Sequence, residues 1–429
     1  MSSSRRLPLL FAALLACDGP DADPAIDPAD DPRAGESPAS ARPLAAAPPA
    51  AAQPAVPTTP DLPIMPVMPV MPDARRAFAR TLELIRSDYV DREIAEDVLY
   101  TGALEGMLAR LIQLGGHPVN ELLDPPALAE LLQGSAGAIV GVGVEIAIQG
   151  GALVVVHPIP GGPAEQAGLL AGDRILGIDG ARTRDVRLAD LVDKIRGKPG
   201  TTVDLFVQRD TEEWHQPIVR ASIALTNVES RLLEPELGYL RLRGFAETTL
   251  AQLDAAIAEL QTAGMQALVL DLRDCPGGVF DVAIAVAGRF LADGATIVSL
   301  VDRDNIRTTR AAAGDGRWHD LRLAVLIGPD TASGAEILAD ALATHGRATL
   351  IGQPTLGKGT VEVVHELGNG WALKLSSHRF IGASGEPIQG RGVRPRLPVT
   401  RSELIPVAEL PGDDDAVAAA RTWLAGQPR

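Results

Sequence analysis

The sequence predicts an α+β protein with several domains. Apolar residues recur at helical spacing between residues 74 and 132, strand alternation begins at Ala138, and strands alternate with helices after Leu225. A length of 429 residues allows two or three domains. Hydrophobic residues make up 46% of the chain and can form cores, but only 3% of residues are aromatic and 34 are proline, so part of the chain is expected to remain unpacked.

Residues 1–17 have the pattern of an export signal. Arg5 and Arg6 precede a ten-residue apolar run that ends at Ala16, which is too short to span a bilayer. A small residue followed by Cys17 resembles a bacterial lipoprotein signal, in which the cysteine becomes the lipidated first residue. We therefore expect export to the periplasmic face of a bacterial membrane with a lipid anchor at Cys17. An ordinary secretory signal that happens to contain a cysteine is the alternative.

The next two segments are predicted to be a tether and a helical region. Residues 18–72 hold 15 of the 34 prolines and are rich in Ala and Asp, which predicts a disordered tether. Proline at every third position from Pro57 to Pro72 favours a polyproline II rod at its end. Residues 73–135 form the N-terminal helical region, in which we expect two or three short helices.

The charge balance and the cysteine content exclude several classes of function. Asp and Glu number 55 against 39 Lys and Arg, so no overall positive field gathers phosphates, and nucleic acid is not an expected partner. Cys17 and Cys275 are the two cysteines, and neither C-x-x-C nor H-E-x-x-H spacing occurs. We expect no disulfide framework, no metal and no cofactor.

Residues 136–223 carry a second recognisable pattern. A glycine-rich turn, Gly141, Val142, Gly143 and Val144, precedes the segment PAEQAGLLAGDRILGIDG. Together they resemble a PDZ domain, a small β-barrel-like sheet with helices. The resemblance implies that backbone N–H groups of the turn bind the terminal carboxylate of a peptide, which adds as a strand to the sheet edge. The expected partners are protein or peptide substrates with free C-termini.

Residues 224–400 contain three segments that are specific in combination: ALVLDLRDCPGGVF, TASGAEI and LIGQPTLGKGTVE. They resemble segments of the carboxyl-terminal processing (tail-specific) serine proteases, and residues 401–429 follow as a C-terminal tail. The resemblance implies an α/β (crotonase/ClpP-like) protease core without cofactors. It also implies that Ser333 is the nucleophile and Lys358 the general base, with oxyanion donors from Gly334 and the Gly277–Gly278 loop. Homo-oligomerisation and an adaptor protein remain open.

Glu362 is the sharpest departure from that family, which has Gln at this position. A serine hydroxyl needs a base, and a lysine can act as one only in its neutral form, which burial favours. Strand alternation puts Lys358 and Glu362 on one face, and a carboxylate in contact with the amine favours the charged form. Alternatively the two buried groups share one proton and remain competent.

Other interpretations compete with the protease. Ser333 by itself is a common helix cap, and Cys275 before a proline is more typical of a buried apolar residue than of a nucleophile. Seven histidines would allow a Ser-His-Asp triad. The main prediction is an exported serine endopeptidase; the alternative is a non-catalytic, lipid-tethered PDZ scaffold with a decayed protease core, suggested by Glu362.

Overall fold

A computed structural model describes residues 73–91, 94–114, 119–400 and 414–427. The predicted signal with Cys17, the predicted tether and most of the first half of the C-terminal tail lie outside these residues. Within the described ranges, no helix has the length and apolar character needed to cross a bilayer.

The described residues of the N-terminal region form three helices, within the predicted range, and one strand that the sequence did not predict. Asp124 caps the third helix by accepting from the Ala127 N–H at 2.8 Å, and Pro125 and Pro126 begin that helix instead of interrupting one. No residue of the first two helices is buried. The elements are α1 (Ala74–Asp88), α2 (Glu96–Gln113), β1 (Glu121–Leu123) and α3 (Pro125–Ser135).

The PDZ-like region folds around an antiparallel sheet of five strands. Its elements are β2 (Ala138–Gly141), β3 (Val144–Gln149), β4 (Ala152–Pro158), α4 (Pro163–Gln166), β5 (Arg174–Ile178), β6 (Ala181–Arg182), α5 (Leu188–Ile195), β7 (Thr202–Arg209), β8 (Glu212–Val219) and β9 (Ala221–Ala224). The sheet has the order β3-β4-β5-β7-β8, β6 pairs with β5, and β2 pairs with β9 in a separate ribbon.

The remaining elements build two sheets with helices packed between and around them. They are β10 (Val228–Glu234), β11 (Leu237–Leu242), α6 (Thr249–Thr262), β12 (Ala267–Asp271), α7 (Phe280–Phe290), β13 (Thr296–Val301), β14 (Arg307–Ala311), β15 (Arg322–Ile327), α8 (Gly334–Thr344), β16 (Thr349–Gly352), β17 (Thr360–Gly368), β18 (Trp371–Gly382), β19 (Leu397–Pro398) and α9 (Asp415–Ala425).

The larger sheet of this core is mostly parallel. Its order is β10-β11-β12-β15-β16-β19, and only β10 runs antiparallel to its neighbour. The second sheet has the order β1-β18-β13-β14, with β17 on β18. Helices α6 and α8 connect neighbouring strands of the parallel sheet, and α7 leads from β12 to β13 of the second sheet; this is the α/β arrangement expected for the protease core.

Alternating residues of the parallel strands form two cores. One face, with Leu268 and Leu270 of β12, packs on α6, α7 and α8, and the other, with Val269, packs on α9. All five residues of β12 are buried, as its continuous apolar run predicts. The segment that the sequence assigns to the C-terminal tail thus includes a helix packed on the sheet. The carboxyl ends of β12, β15 and β16 open at one edge, so the loops that follow them converge there.

Candidate active site

Ser333 occupies a strained turn between β15 and α8. Its φ of 55° and ψ of −119° lie in a region that non-glycine residues rarely adopt, at a cost of about 1–3 kcal/mol. The preceding residues fix this turn: the Thr331 hydroxyl donates to the Leu272 carbonyl at 2.7 Å, and the Ala332 N–H donates to the Cys275 carbonyl at 3.0 Å. The neighbouring loop therefore imposes the conformation of Ser333.

The Ser333 hydroxyl is not used as a helix cap. Its Oγ is buried and makes no hydrogen bond with any described residue. Instead the Ser333 N–H donates to Glu336 Oε2 at 2.9 Å, so the carboxylate three residues later takes over capping. Ser333 is therefore the N-cap residue of α8 by position, but its hydroxyl has no hydrogen-bond partner among the described residues. No described histidine forms a hydrogen bond with this hydroxyl.

The Glu336 carboxylate binds two turns of the chain: the serine turn at residues 331–334 and the lysine turn at residues 356–359. Its Oε2 accepts from the N–H groups of Ser333 and Lys358, both at 2.9 Å. Its Oε1 accepts from the Gly357 N–H at 2.7 Å and from the Thr355 hydroxyl. Burial raises the pKa of the Glu336 carboxyl, although these four hydrogen bonds oppose the rise. Sequence reasoning missed this role; the available signal was a Glu three residues after a serine at a helix start.

Lys358 and Glu362 form an ion pair at the start of β17. Lys358 Nζ lies 3.0 Å from Glu362 Oε2, and the Lys358 and Glu362 side chains are 11% and 0% exposed. The Thr360 hydroxyl donates to the other Glu362 oxygen at 2.8 Å. The predicted contact between Lys358 and Glu362 is therefore present. The Lys358 amine makes no hydrogen bond to Ser333 Oγ, although the backbone N–H groups of the two residues share one oxygen of Glu336.

The lysine turn is tied down on two sides. Gly357 has a φ of +84°, which a glycine adopts without penalty, and its carbonyl accepts from the Gly390 N–H at 2.8 Å. The Leu356 N–H donates to the Thr331 carbonyl at 3.0 Å. These contacts direct the Lys358 side chain inward, as the flanking glycines predicted.

Two backbone N–H groups near Ser333, those of Gly334 and Gly278, are the sequence-predicted oxyanion donors. Gly334 is the first residue of α8, where the helix dipole favours negative charge. Gly278 has a φ of +144° and pairs in parallel with Phe245 through its neighbours, so its own N–H points away from Phe245. Neither N–H donates to an acceptor within the described part of the chain. Gly277 packs against the Ser333 Cβ and the Gly334 nitrogen.

Cys275 has the properties of a buried apolar residue, as the sequence predicted. Its side chain is fully buried, and burial raises the pKa of its thiol to about 12, although a hydrogen bond from the Gly277 N–H opposes that rise. The thiol therefore stays protonated at physiological pH and is a poor nucleophile.

The glycine-rich turn of the PDZ-like region also presents free donors. The carbonyls of Val142 and Gly143 accept from Ala164 at 2.7 Å and Ile159 at 2.9 Å, whereas no described acceptor takes the N–H of either residue. Gly141 ends β2 and Val144 begins β3, whose second edge is unpaired in the sheet order. This turn thus combines unpaired N–H groups with an open strand edge.

A buried ionic network, also missed from the sequence, supports the loop beneath Ser333. The Arg273 guanidinium donates to both oxygens of Asp271, and the Tyr239 hydroxyl donates to Asp271 at 2.6 Å. Burial disfavours ionisation of Asp271, but Arg273 and Tyr239 together hold the pKa of its carboxyl below the ordinary value. The third contact of Arg273 is Asp414, just before α9.

Comparisons with known proteins agree with this geometry. Residues 236–399 match the model of peptidase family S41, and residues 154–209 match a PDZ domain model. The carboxy-terminal-processing protease of Bartonella bacilliformis is 37% identical over 75% of this chain and 74% of its own. The carboxy-terminal processing protease CtpA of Bacillus subtilis is 31% identical over 77% and 70%.

Among solved structures, the photosystem II D1 C-terminal processing protease is 29% identical, covering 80% of this chain and 96% of its own, with a TM-score of 0.46. The family model covers the nucleophile turn, the lysine turn and the glycine loop. The chain therefore belongs to the carboxy-terminal-processing proteases of peptidase family S41, and it is a serine peptidase with a PDZ domain.

Proposed function

We propose that this protein is an exported endopeptidase that cleaves peptide bonds with a Ser333–Lys358 dyad and selects substrates by their free C-termini. The observation that carries the dyad is the shared Glu336 oxygen, which accepts from the backbones of Ser333 and Lys358 at 2.9 Å each. Four hydrogen bonds offset the cost of burying the Glu336 carboxylate, and they hold the turns at Ser333 and Lys358 next to each other.

In the proposed reaction, Ser333 Oγ attacks the scissile carbonyl carbon while the neutral Lys358 amine accepts the hydroxyl proton. The carbonyl oxygen becomes an oxyanion that the N–H groups of Gly334 and Gly278 stabilise. Lys358 then gives its proton to the leaving amine, and an acyl-enzyme ester on Ser333 remains. Water, deprotonated by the same lysine, hydrolyses this ester and restores the free hydroxyl.

Glu362 is the charged partner of the Lys358 side chain in this structure. With Oε2 3.0 Å from Lys358 Nζ and no exposure of its own, a Glu362 carboxylate stabilises the ammonium form. Lys358 must release this proton, or share it with Glu362, and turn towards Ser333 before it acts as a base. Activity is therefore expected to rise with pH along an acidic limb governed by this pair.

Fluorophosphonate labelling tests the dyad directly. The reagent forms a bond between Ser333 Oγ and phosphorus as fluoride leaves, and it requires an activated hydroxyl. We expect labelling of the native protein and none of Ser333→Ala. A folded native protein that stays unlabelled at every pH would contradict the proposal and favour the non-catalytic scaffold.

Selection of free C-termini is proposed from the Gly141–Val144 turn. Its unpaired N–H groups at Val142 and Gly143, beside the open edge of β3, suit a terminal carboxylate on an added strand. A peptide with an apolar, free C-terminus is expected to bind at least tenfold more tightly than its C-terminal amide. Equal affinity of the two peptides for Ser333→Ala protein, measured by calorimetry, would refute this mode of recognition.

Export and lipid anchoring at Cys17 are proposed from residues 1–17 alone. Radiolabelled palmitate should enter the native protein in bacteria and should not enter Cys17→Ser, while Cys275→Ser serves as the control. Export without lipid incorporation would instead favour an ordinary secretory signal.

A further inference from the structure

Asp414, 81 residues beyond Ser333 in sequence, contacts Arg273. Arg273 lies in the loop from Leu272 to Gly278, which includes the proposed oxyanion donor. The Arg273 side chain is only 11% exposed, and Asp271 occupies its Nε and one terminal nitrogen. The other terminal nitrogen donates to Asp414 Oδ2. Asp414 is therefore the second carboxylate that balances and orients this buried guanidinium.

Asp414 is itself held firmly. Its Oδ1 caps α9 by accepting from the Ala416 N–H at 2.8 Å and the Val417 N–H at 3.4 Å, which leaves Oδ2 for Arg273. Residues Ala416, Val417, Ala420 and Leu424 of the helix are buried against the sheet face opposite α8. The helix is thus a fixed support, and Asp414 is its contact with the loop.

Arg273 belongs to the loop that shapes the active site. The residues on either side of it hold the nucleophile turn: the Leu272 carbonyl accepts from the Thr331 hydroxyl at 2.7 Å, and the Cys275 carbonyl accepts from the Ala332 N–H at 3.0 Å. Three residues after Cys275 comes Gly278, the proposed oxyanion donor. A rotation of Arg273 would consequently shift the carbonyls that support Ser333 and the N–H that faces the oxyanion.

We infer that Asp414 is a positioning residue: through Arg273, the C-terminal helix keeps the loop from Leu272 to Gly278 in the geometry that oxyanion stabilisation requires. The inference rests on the proposed function, because it assigns the loop its catalytic use. It extends the functional unit to a helix outside the matched family region, residues 236–399.

The test compares Asp414→Asn and Asp414→Ala with Asp415→Asn in the full-length protein. Asp415 lies in the first turn of the same helix, is exposed and matches the change in charge. We expect kcat and the fluorophosphonate labelling rate to fall at least tenfold in both Asp414 variants, with KM changed less than twofold. Asp415→Asn should retain native values.

A merely structural role gives a different result. It would lower the melting temperature of the Asp414 variants while kcat, measured well below that temperature, stayed native, and this outcome would overturn the inference. Asp414→Asn is nearly isosteric and keeps the helix cap, so it carries the test if Asp414→Ala does not fold.

Amide hydrogen exchange separates this inference from the proposed function, because it needs no turnover. We expect at least tenfold faster exchange at Cys275 and Ala332, whose N–H groups bond within this loop, in Asp414→Asn but not in Asp415→Asn. Unchanged exchange would contradict the inference even in an inactive protein. If the native enzyme and the Asp414 variants are equally active, the inference is contradicted while the proposed function stands.

Discussion

Two buried carboxylates flank Lys358, and they differ in what they bind. Glu336 accepts four hydrogen bonds from neutral donors, three of them backbone N–H groups on the two catalytic turns. Glu362 instead faces the charged end of Lys358 and accepts one hydroxyl from Thr360. The difference teaches that one carboxylate joins the backbones of the two turns, whereas the other binds the side chain of the proposed base.

The largest effect is expected at Lys358, the proposed base. Lys358→Ala should lower kcat/KM by about 10⁴-fold, because no other described amine contacts this site. Lys374→Ala is a matched control, since Lys374 is 12% exposed and pairs with Glu121 at 2.7 Å. Steady-state kinetics on a peptide substrate measure both. Retained turnover in Lys358→Ala, or an equal loss in Lys374→Ala, would break the account.

Glu336 should determine the relative position of Ser333 and Lys358 and should not affect the ionisation of the Lys358 amine. Glu336→Gln replaces one acceptor oxygen by an N–H₂ group that cannot accept from its present donors, so at least one buried N–H loses its partner, at about 1–3 kcal/mol. The resulting displacement should lower kcat about 100-fold without moving the acidic limb of the pH profile. Exposed Glu259→Gln is the control, and a displaced limb would mean that Glu336 acts on the base itself.

Thr355 gives a smaller version of the same test. Its hydroxyl donates to Glu336 and accepts from the Val393 N–H at 2.7 Å. Thr355→Val keeps the shape of the side chain and removes both hydrogen bonds. The geometry of the two turns should then be about 1 kcal/mol less stable, and kcat should fall about fivefold. If kcat falls as much in Thr355→Val as in Glu336→Gln, then Thr355, and not the carboxylate, holds the two turns together.

Features that rest on local patterns could be predicted from the sequence. The buried strand β12 follows from a continuous apolar run, and the Lys358–Glu362 contact follows from alternation over four residues. The position of Ser333 at the start of α8 follows from helical spacing. The dyad itself came from resemblance to a family, because spacing alone does not distinguish Ser333 from a helix cap.

Features that rest on distant contacts could not be predicted. The partners of Glu336 at residues 355, 357 and 358 are brought to it by the sheet, and Arg273 meets Asp414 across 141 residues. Strand β1 has three residues, too few for a detectable period, and forms because β18 offers it an edge. Tertiary packing determines these features.

The pH dependence of fluorophosphonate labelling, compared between the native protein and Glu362→Gln, tests the central claim most directly. A glutamine cannot form the ion pair that Glu362 forms with the Lys358 amine at 3.0 Å, so the acidic limb of the labelling rate should move to lower pH. Glu121→Gln, which removes the partner of Lys374, should leave the limb in place. Superimposed profiles for two folded and active proteins would contradict the claim that Glu362 governs the protonation of the base.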